Sequence, residues 1–482
     1  MHMQQHIVFV GAWWAWVSSL VLLFCKLWIQ HIVAIDSNES ELTKKLSQAW
    51  VKVIIWHGNY SVQQDDIIIY SDAASWSPEV QAAEKKMLQN RKKIFAPRTY
   101  FEFLWEISKY MTTVSIAGTH GKSTTTWLCA SILEKYHSNF WLSIVWAPIN
   151  QRWHQNFLLW KEAIEPVRSI IEHILFPKWP VVWKNMKKLL FVVEADEYNH
   201  HFLHLDTDYG CITNIELDHA DVYSSFENYL ETFITFAERV RHDIFIGKDC
   251  LWYTKFINKV KHNRIHTAPK KQFSFSTLLW AHNHANASLA LACAEHLCPH
   301  IDTSLLAQEL NNFQGLRRRW EHLWVNTHNI PIISDYAHHP SELKSTLAAI
   351  RESHPSKQIT LIFQPHQARR VVEFWDQFIR ACNNADHVHV YSIYTARETI
   401  EQAKTYTMWS DEVQQLMERL SSFEELWTAL AHSANWIYHT SLTTLQETIN
   451  QTNTWIILMC TAWDLDWKVR TLVTSKNLKY NQ

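Results

Sequence analysis

The sequence predicts an α/β protein assembled from three successive units of alternating strands and helices. Three observations predict it. Short β-branched and aliphatic runs alternate with helix-period stretches from residue 6 to residue 460. Val114-Ser-Ile-Ala-Gly-Thr-His-Gly-Lys-Ser-Thr-Thr-Thr126 passes from a β-rich run through a glycine-bounded turn directly into a helical pattern. Leu189-Leu-Phe-Val-Val-Glu-Ala-Asp-Glu197 is an unbroken apolar run ending in carboxylates, as expected of a strand buried on both faces.

A chain of 482 residues allows two to four domains, each with its own core. A net charge of −2 supplies no field that would draw the whole molecule to nucleic acid or anionic lipid. The eight cysteines are scattered without a Cys-x-x-Cys pair and read as reduced, mostly buried side chains. The most apolar stretch, Val17–Cys25, stops at Lys26 and is too short to span a bilayer. No basic segment followed by an apolar run and cleavage site opens the chain. A cytoplasmic protein, monomeric or weakly dimeric and without nucleic-acid or membrane partners, is the expectation.

Residues 1–108 carry strand-like runs at His6–Val10, His31–Ile35, Val51–Ile55 and Ile67–Tyr70. Helical patterns lie at Ala15–Lys26, Leu42–Gln48, Glu79–Asn90 and Tyr100–Met111. Asp36 ends the second strand, where a carboxylate can accept from a ribose or sugar hydroxyl. Residues 109–322 are built on the glycine-bounded turn. There, backbone N–H groups and the positive end of the following helix favour an anion, Lys122 adds a point charge, and the Ser123 hydroxyl suits Mg²⁺. An ordinary helix start capped by Ser and Thr is the competing reading of that turn alone. A strand at Gly210–Ile215 and an amphipathic helix bearing Phe226, Leu230, Phe233, Ala237 and Val240 follow. Residues 323–482 alternate strands at Pro331–Asp335, Gln358–Gln364, His387–Val390 and Thr454–Cys460 with helices such as Arg369–Asn384.

One count is abnormal: 7 glycines against 26 tryptophans. Together they make up about the 7% share that glycine alone ordinarily holds. The tryptophans also occupy glycine positions. Gly11-Ala-Trp-Trp-Ala-Trp16 becomes a phosphate-type turn if read with glycine. Trp28 and Trp50 fall where glycine ends a helix, and Trp463 falls in a close turn after a strand. A residue with a Cβ in a left-handed turn costs roughly 1–2 kcal/mol. Ten such sites would cost about 10–20 kcal/mol, against a net stability of about 5–15 kcal/mol. The reading that fits is a gene in which UGA specifies glycine, here translated as tryptophan. Trp320, in Arg317-Arg-Arg-Trp-Glu321, sits where a genuine aromatic is plausible.

Six motifs occur in order. They are Ala117-Gly-Thr-His-Gly-Lys-Ser-Thr-Thr125, Glu194-Ala-Asp-Glu197, Thr213-Asn-Ile-Glu-Leu-Asp-His219, His282-Asn-x-x-Asn286, Asp335-Tyr-Ala-His-His-Pro340 and Phe363-Gln-Pro-His366. This set resembles the Mur ligase family, and most closely the branch that joins L-alanine to UDP-N-acetylmuramate. The resemblance implies an N-terminal Rossmann-like UDP-binding domain, a central P-loop ATPase-type domain and a C-terminal Rossmann-like domain, with ATP and Mg²⁺ required. The implied chemistry is phosphorylation of the sugar's carboxylate to an acyl phosphate, which the amine of L-alanine then opens.

By the same resemblance, Gly118, Thr119, His120, Gly121, Lys122, Ser123 and Thr124 would hold the ATP phosphates. His282, Asn283 and Asn286 would face the adenine side, with Asn283 also suited to a helix cap. Arg318 or Arg319 would reach phosphate from the hinge. Ser123, Glu194 and His219 would ligate metal, His219 lying between Asp218 and Asp221. Asp335, Tyr336, His338 and His339 would form a nucleotide- and amino-acid-facing loop, with Asp335 and His338 joining Lys122, Glu194 and His219 as catalytic groups. His366 and Arg370 would hold the alanine carboxylate, an arginine fork suiting that task. Gln367 stands where many members carry arginine. Gly11, Ala12, Trp13, Trp14, Asp36 and His57 match the UDP-sugar segments, and literal indoles there, like those of Trp280 and Trp463 elsewhere, would obstruct binding. The histidines of Asn199–His204 fall in what the resemblance implies is an ordinary strand-to-loop segment, not a metal site. Alternatives are a ligase that attaches a ready-made tripeptide to the same sugar, a nicotinamide oxidoreductase, and an inactive nucleotide-binding protein.

Overall fold

The computed structural model describes residues 5–12, 15–90, 96–137, 141–144, 157–176, 189–219, 222–247, 252–273, 281–313, 315–395, 399–404, 422–461, 465–466 and 468–470. Trp13, Trp14, Asp221, Trp280 and Trp463 lie outside them. The chain is α/β with three sheets. Contacts divide it into two compact units: residues 1–217, 225–276 and 283–314 form the first, and residues 218–224, 277–282 and 315–482 the second. The first unit contains two of the sheets.

The first sheet comprises β1 (Ile7–Val10), β2 (Ile32–Asp36), β3 (Lys52–Ile55), β4 (Ile67–Tyr70) and β5 (Arg98–Thr99), all parallel, in the order β3-β2-β1-β4-β5. The chain departs from β1 in both directions, so the segment after Val10 lies at a topological switch point, where α/β sheets bind ligands. The second sheet comprises β6 (Thr112–Ala117), β7 (Trp141–Ile144), β8 (Phe157–Leu159), β9 (Leu190–Glu194), β10 (Tyr209–Ile212), β11 (Ile244–Gly247) and β12 (Ile265–Ala268). Its order is β12-β11-β10-β6-β9-β7-β8, with β8 antiparallel. β6 is its switch strand, flanked by β10 and β9. An apolar core continues from Phe9 and Phe24 of the first sheet layer through Phe103 and Ile171 to Phe191 of the second. β1, β2 and β9 are buried along their whole lengths, which is why they read as near-continuous apolar runs.

In the second unit, β13 (Glu321–Val325), β14 (Pro331–Asp335), β15 (Ile359–Gln364), β16 (His387–Tyr391), β17 (Ile437–His439) and β18 (Ile456–Thr461) pair in the order β13-β14-β18-β15-β16-β17. Only β13 is antiparallel.

Several expected elements differ in extent. The run Leu189–Glu197 is strand only to Glu194, so the carboxylates of Asp196 and Glu197 lie in the loop beyond it. The expected helix Arg369–Asn384 is two helices, Ala368–Glu373 and Trp375–Cys382, broken at Phe374, whose non-helical backbone lets its ring turn into the core. The helix from Tyr100 ends at Ser108. The segment Tyr198–His204 is not a plain strand-to-loop passage. It forms two tight helical turns joined by Asn199 and His200 at positive φ.

Two of the tryptophans expected at glycine positions show left-handed backbone. Trp28 has φ 55° and Trp50 has φ 64°. At each, the backbone N–H bonds back to the helix (Trp28 to Cys25 O, Trp50 to Ser47 O), and the next N–H reaches one residue further (Ile29 to Phe24 O, Val51 to Leu46 O). These are Schellman closures, whose left-handed position glycine normally fills. The Trp50 side chain is 98% exposed, so packing does not compensate the strain. Trp56 is also left-handed and exposed. Trp320, expected to be a genuine aromatic, shares the left-handed backbone at φ 57°, although its ring packs against the core of the second unit. Trp16 belongs to the helix Ala15–Lys26 and not to the turn before it.

Candidate active site

In the first unit, β6 ends at Ala117 and the chain turns through Gly118 (φ 135°) and Gly121 (φ 80°) into the helix Lys122–Tyr136. Neither glycine tolerates a side chain. A Cβ at Gly118 would collide with Thr213 Oγ1, and one at Gly121 would lie 2.5 Å from Asn286 Oδ1. The Thr213-Asn-Ile-Glu motif shapes this turn. Thr119 N–H donates to Asn214 O (3.1 Å), His120 N–H to Asn214 Oδ1 (3.0 Å), and Thr213 Oγ1 to His120 O (2.6 Å). Thr119 Oγ1 donates to Glu216 O, and His120 Nε2 lies 3.3 Å from the Glu216 carboxylate. No side chain caps the helix that follows, which leaves its positive end directed at the turn.

Lys122 is buried. Its ammonium donates to Gly118 O (2.7 Å) and to both carboxylate oxygens of Glu197 (3.0 and 2.8 Å). Burial pulls its pKa down, but Glu197, Asp196 and Glu194 outweigh burial and hold it above the usual lysine value. It is therefore a cation at neutral pH. Ser123 Oγ donates to Glu194 Oε1 at 2.7 Å, so the two expected metal ligands of this unit are adjacent. Thr124 is buried in the same helical turn. Asn286 presses on Gly121, so it reaches the phosphate turn itself. Asn283 is buried in the first turn of the helix Ala281–Leu297 and is not its cap, because that helix starts two residues earlier. His282 is exposed.

The sequence reading gave no role to Glu197, which holds Lys122, or to His201. The His201 ring lies flat on Phe101 (4.0 Å between centroids), with Nε2 2.9 Å from Asp72 and Nδ1 3.4 Å from Asp196. Burial lowers its pKa, but the two carboxylates prevail and raise it to about 9. The only sequence signal for either residue was its place in a carboxylate run or a histidine cluster.

At the first sheet's C-terminal edge, Gly11 (φ 83°) and Ala12 both donate their N–H to Ile35 O, and Asp36 closes β2. His57 Nδ1 lies 3.4 Å from Glu79, which also accepts from Gly58 N–H. These four expected UDP-sugar residues share one end of one parallel sheet.

In the second unit, Asp335 ends β14 and accepts from Trp320 N–H (3.0 Å) and Ala337 N–H (2.8 Å). Burial raises its carboxyl despite Arg319 nearby. The Tyr336 ring faces both Arg318 (4.6 Å) and Arg319 (5.3 Å). Arg318 donates to Thr461 O (2.7 Å), while Arg319 makes a 3.4 Å contact with Glu342. Burial pushes the His338 imidazole down to about 3, so it is neutral, and its Nδ1 lies 2.8 Å from Tyr336 O. His339 caps the helix Pro340–Ser353.

Arg370, expected to hold the alanine carboxylate, is engaged with side chains of its own unit. Its guanidinium already holds Asp218 through Nε and Nη2 (3.1 and 2.9 Å), and its Nη1 donates to His366 Nδ1 (2.9 Å). Burial would raise Asp218, but Arg370 and the histidines 219, 339 and 338 keep its pKa well below the ordinary range. A neighbouring acidic side chain therefore occupies the site expected for the substrate carboxylate. His219 has left-handed backbone (φ 55°) and donates its N–H to Asp218. Gln367 is left-handed as well, at φ 62°.

Comparison with known proteins decides the family. The Mur ligase middle domain matches residues 116–294, and the Mur ligase, glutamate ligase domain matches residues 318–437. The chain belongs to the Mur ligase family. Similar curated relatives include the UDP-N-acetylmuramate–L-alanine ligase of Buchnera aphidicola, 27% identical over 92% of this chain and 90% of that protein. The enzyme of the same name from Lacticaseibacillus paracasei is 27% identical over 81% and 85%. Among solved structures, the UDP-N-acetylmuramate–alanine ligase of Thermotoga maritima superposes with a TM-score of 0.68 at 18% identity, covering 98% of this chain and 99% of that one. The murein peptide ligase of Psychrobacter arcticus gives 0.66 at 17%, covering 99% and 100%. These likenesses fix the Mur ligase fold. Among the described residues, no helix is long and apolar enough to cross a membrane.

Proposed function

We propose that this Mur ligase joins L-alanine to UDP-N-acetylmuramate in peptidoglycan precursor synthesis, driven by conversion of ATP to ADP and phosphate. The observation that carries the reading is the glycine turn after β6, where a buried Lys122 ammonium and the adjacent Ser123–Glu194 pair stand at an uncapped helix start. Curated relatives bearing the alanine ligase name over most of their length support the substrate choice.

Two anions, a sugar carboxylate and a triphosphate, must meet, so the site needs concentrated positive charge. Lys122 would exchange Glu197 for the outer phosphates, and the helix start would bind them through backbone N–H groups. Ser123 and Glu194 supply a hydroxyl and a carboxylate oxygen, the hard donors that Mg²⁺ prefers, whereas His219, the third expected ligand, belongs to the second unit. Bound there, the ion would neutralise phosphate charge. The lactyl carboxylate oxygen attacks the γ-phosphorus and ADP leaves. The alanine nitrogen, as the free amine, then attacks the acyl carbon, the acyl–oxygen bond breaks, and the departing phosphate carries away the proton that the nitrogen gives up. In the second unit, an amino-acid carboxylate would replace Asp218 on Arg370, with the neutral His366 held as acceptor beside it. Gly11, Ala12, Asp36 and His57 would line the UDP-sugar end.

Phosphate release measured with UDP-N-acetylmuramate plus either L-alanine or a tripeptide tests this reading. Turnover with L-alanine supports it. Turnover with the tripeptide alone assigns the sister activity.

A further inference from the structure

We propose a second, structural metal site in the first unit, formed by Asp243, His266 and His296 and suited to a divalent transition ion of the zinc class. The three residues come from separate elements: Asp243 immediately precedes β11, His266 lies in β12, and His296 lies in the last turn of the helix Ala281–Leu297. The parallel register places them at the N-terminal ends of β11 and β12, the edge opposite the phosphate turn, which follows the C-terminal end of β6. The cluster is therefore outside the ligase site.

His266 Nε2 lies 2.6 Å from Asp243 Oδ1, and His296 Nε2 lies 3.4 Å from Asp243 Oδ2. One ligand atom from each residue falls within 4.8 Å of the other two. Tetrahedral zinc with bonds near 2.0–2.1 Å places its ligand atoms about 3.3 Å apart, so the 2.6 Å pair would open and the wider separations, all within 4.8 Å, would close to that spacing. Two imidazoles and one carboxylate leave a position for water, and imidazole suits zinc, copper or nickel better than magnesium or calcium. The Asp243 carboxylate is buried. Burial opposes its charge, yet His266, His296 and Arg264 keep it ionised.

The rings are also set in place. His266 stacks on Phe245 at 5.1 Å with planes 20° apart, and the His296 ring lies 5.6 Å from both Phe245 and Tyr209. Phe245 thus packs against both imidazoles. A bound cation would take the place of the hydrogen bond between His266 Nε2 and Asp243. The ion would clip the strand ends to the helix, adding stability without taking part in ligation.

The test uses the full chain, stripped with chelator and titrated with ZnCl₂, then with CoCl₂ read by its visible absorption. The expected result is one tight equivalent, a rise in Tm, and an unchanged turnover. Affinity should fall roughly tenfold or more in His266→Ala/His296→Ala and in Asp243→Asn. His262→Ala, a nearby histidine outside the cluster, should bind as the parent does. Circular dichroism of the metal-free proteins confirms that each variant is folded. Equal binding by the parent and the double variant, or no binding and no Tm change in the parent, overturns the proposal.

Discussion

The turn after β6 and the helix ends at Trp28 and Trp50 adopt the same left-handed backbone with opposite side-chain chemistry. At Gly118 and Gly121 the space beside the backbone is filled by Thr213 and Asn286, so the absence of a Cβ is obligatory and the loop is locked. At Trp28 and Trp50 the same backbone sign carries an indole that projects into solvent, 60% and 98% exposed. Among the described residues, five of the seven glycines have positive φ, and four tryptophans share it. A closed turn beside a ligand can be read from its contacts. A surface helix end can be read only from its backbone, and there the tryptophans behave as misread glycines.

The largest effect should come from Gly118→Ala. Left-handed strain and collision with Thr213 together should cost about 2–5 kcal/mol in denaturant unfolding, with turnover falling about a hundredfold or more. A variant that keeps parental turnover would break the claim that this turn is locked. Lys122→Ala should lower phosphate release by about 10²–10³-fold while UDP-sugar binding, measured by calorimetry, persists. Loss of both would argue against separate roles for the two sheets of the first unit.

His201 gives an intermediate effect with a defined sign. Its pKa in the fold is raised from 6.5 to about 9, so its pairing with Asp72 and Asp196 is fully present below pH 6.5 and is lost as pH rises through 9. The amount at stake is on the order of 3 kcal/mol. His201→Gln should flatten the alkaline decline of Tm, and an unaltered decline would contradict the pairing.

Trp28→Gly and Trp50→Gly should each stabilise the fold by about 1–2 kcal/mol. Trp320→Gly should gain less, because its ring also packs on the core. Destabilisation by Trp50→Gly would sink the glycine reading, as would UGG codons at Trp13, Trp14 and Trp16.

The strands and the phosphate turn were legible because burial on both faces writes unbroken apolar runs, and because the turn needs Gly118, Gly121 and Lys122 in fixed order. Less legible were short edge elements such as β5, only two residues long, and the break at Phe374, which helical periodicity spans unchanged. Charge pairing was the least legible. Nothing local to Arg370 announces Asp218, 152 positions away, and nothing near Lys122 singles out Glu197 over its neighbours. Periodicity reports burial, whereas an ion pair depends on where distant loops meet.

The central claim is that the cation at Lys122 and the Ser123–Glu194 pair let a sugar acid be activated by ATP. The direct measurement follows ADP and amide product together, in the chain carrying glycine at the turn tryptophans, with UDP-N-acetylmuramate and L-alanine supplied singly and jointly. The account predicts one ADP per amide, with both substrates and Mg²⁺ required. Amide formed without ADP, or ADP release indifferent to the sugar, would contradict it.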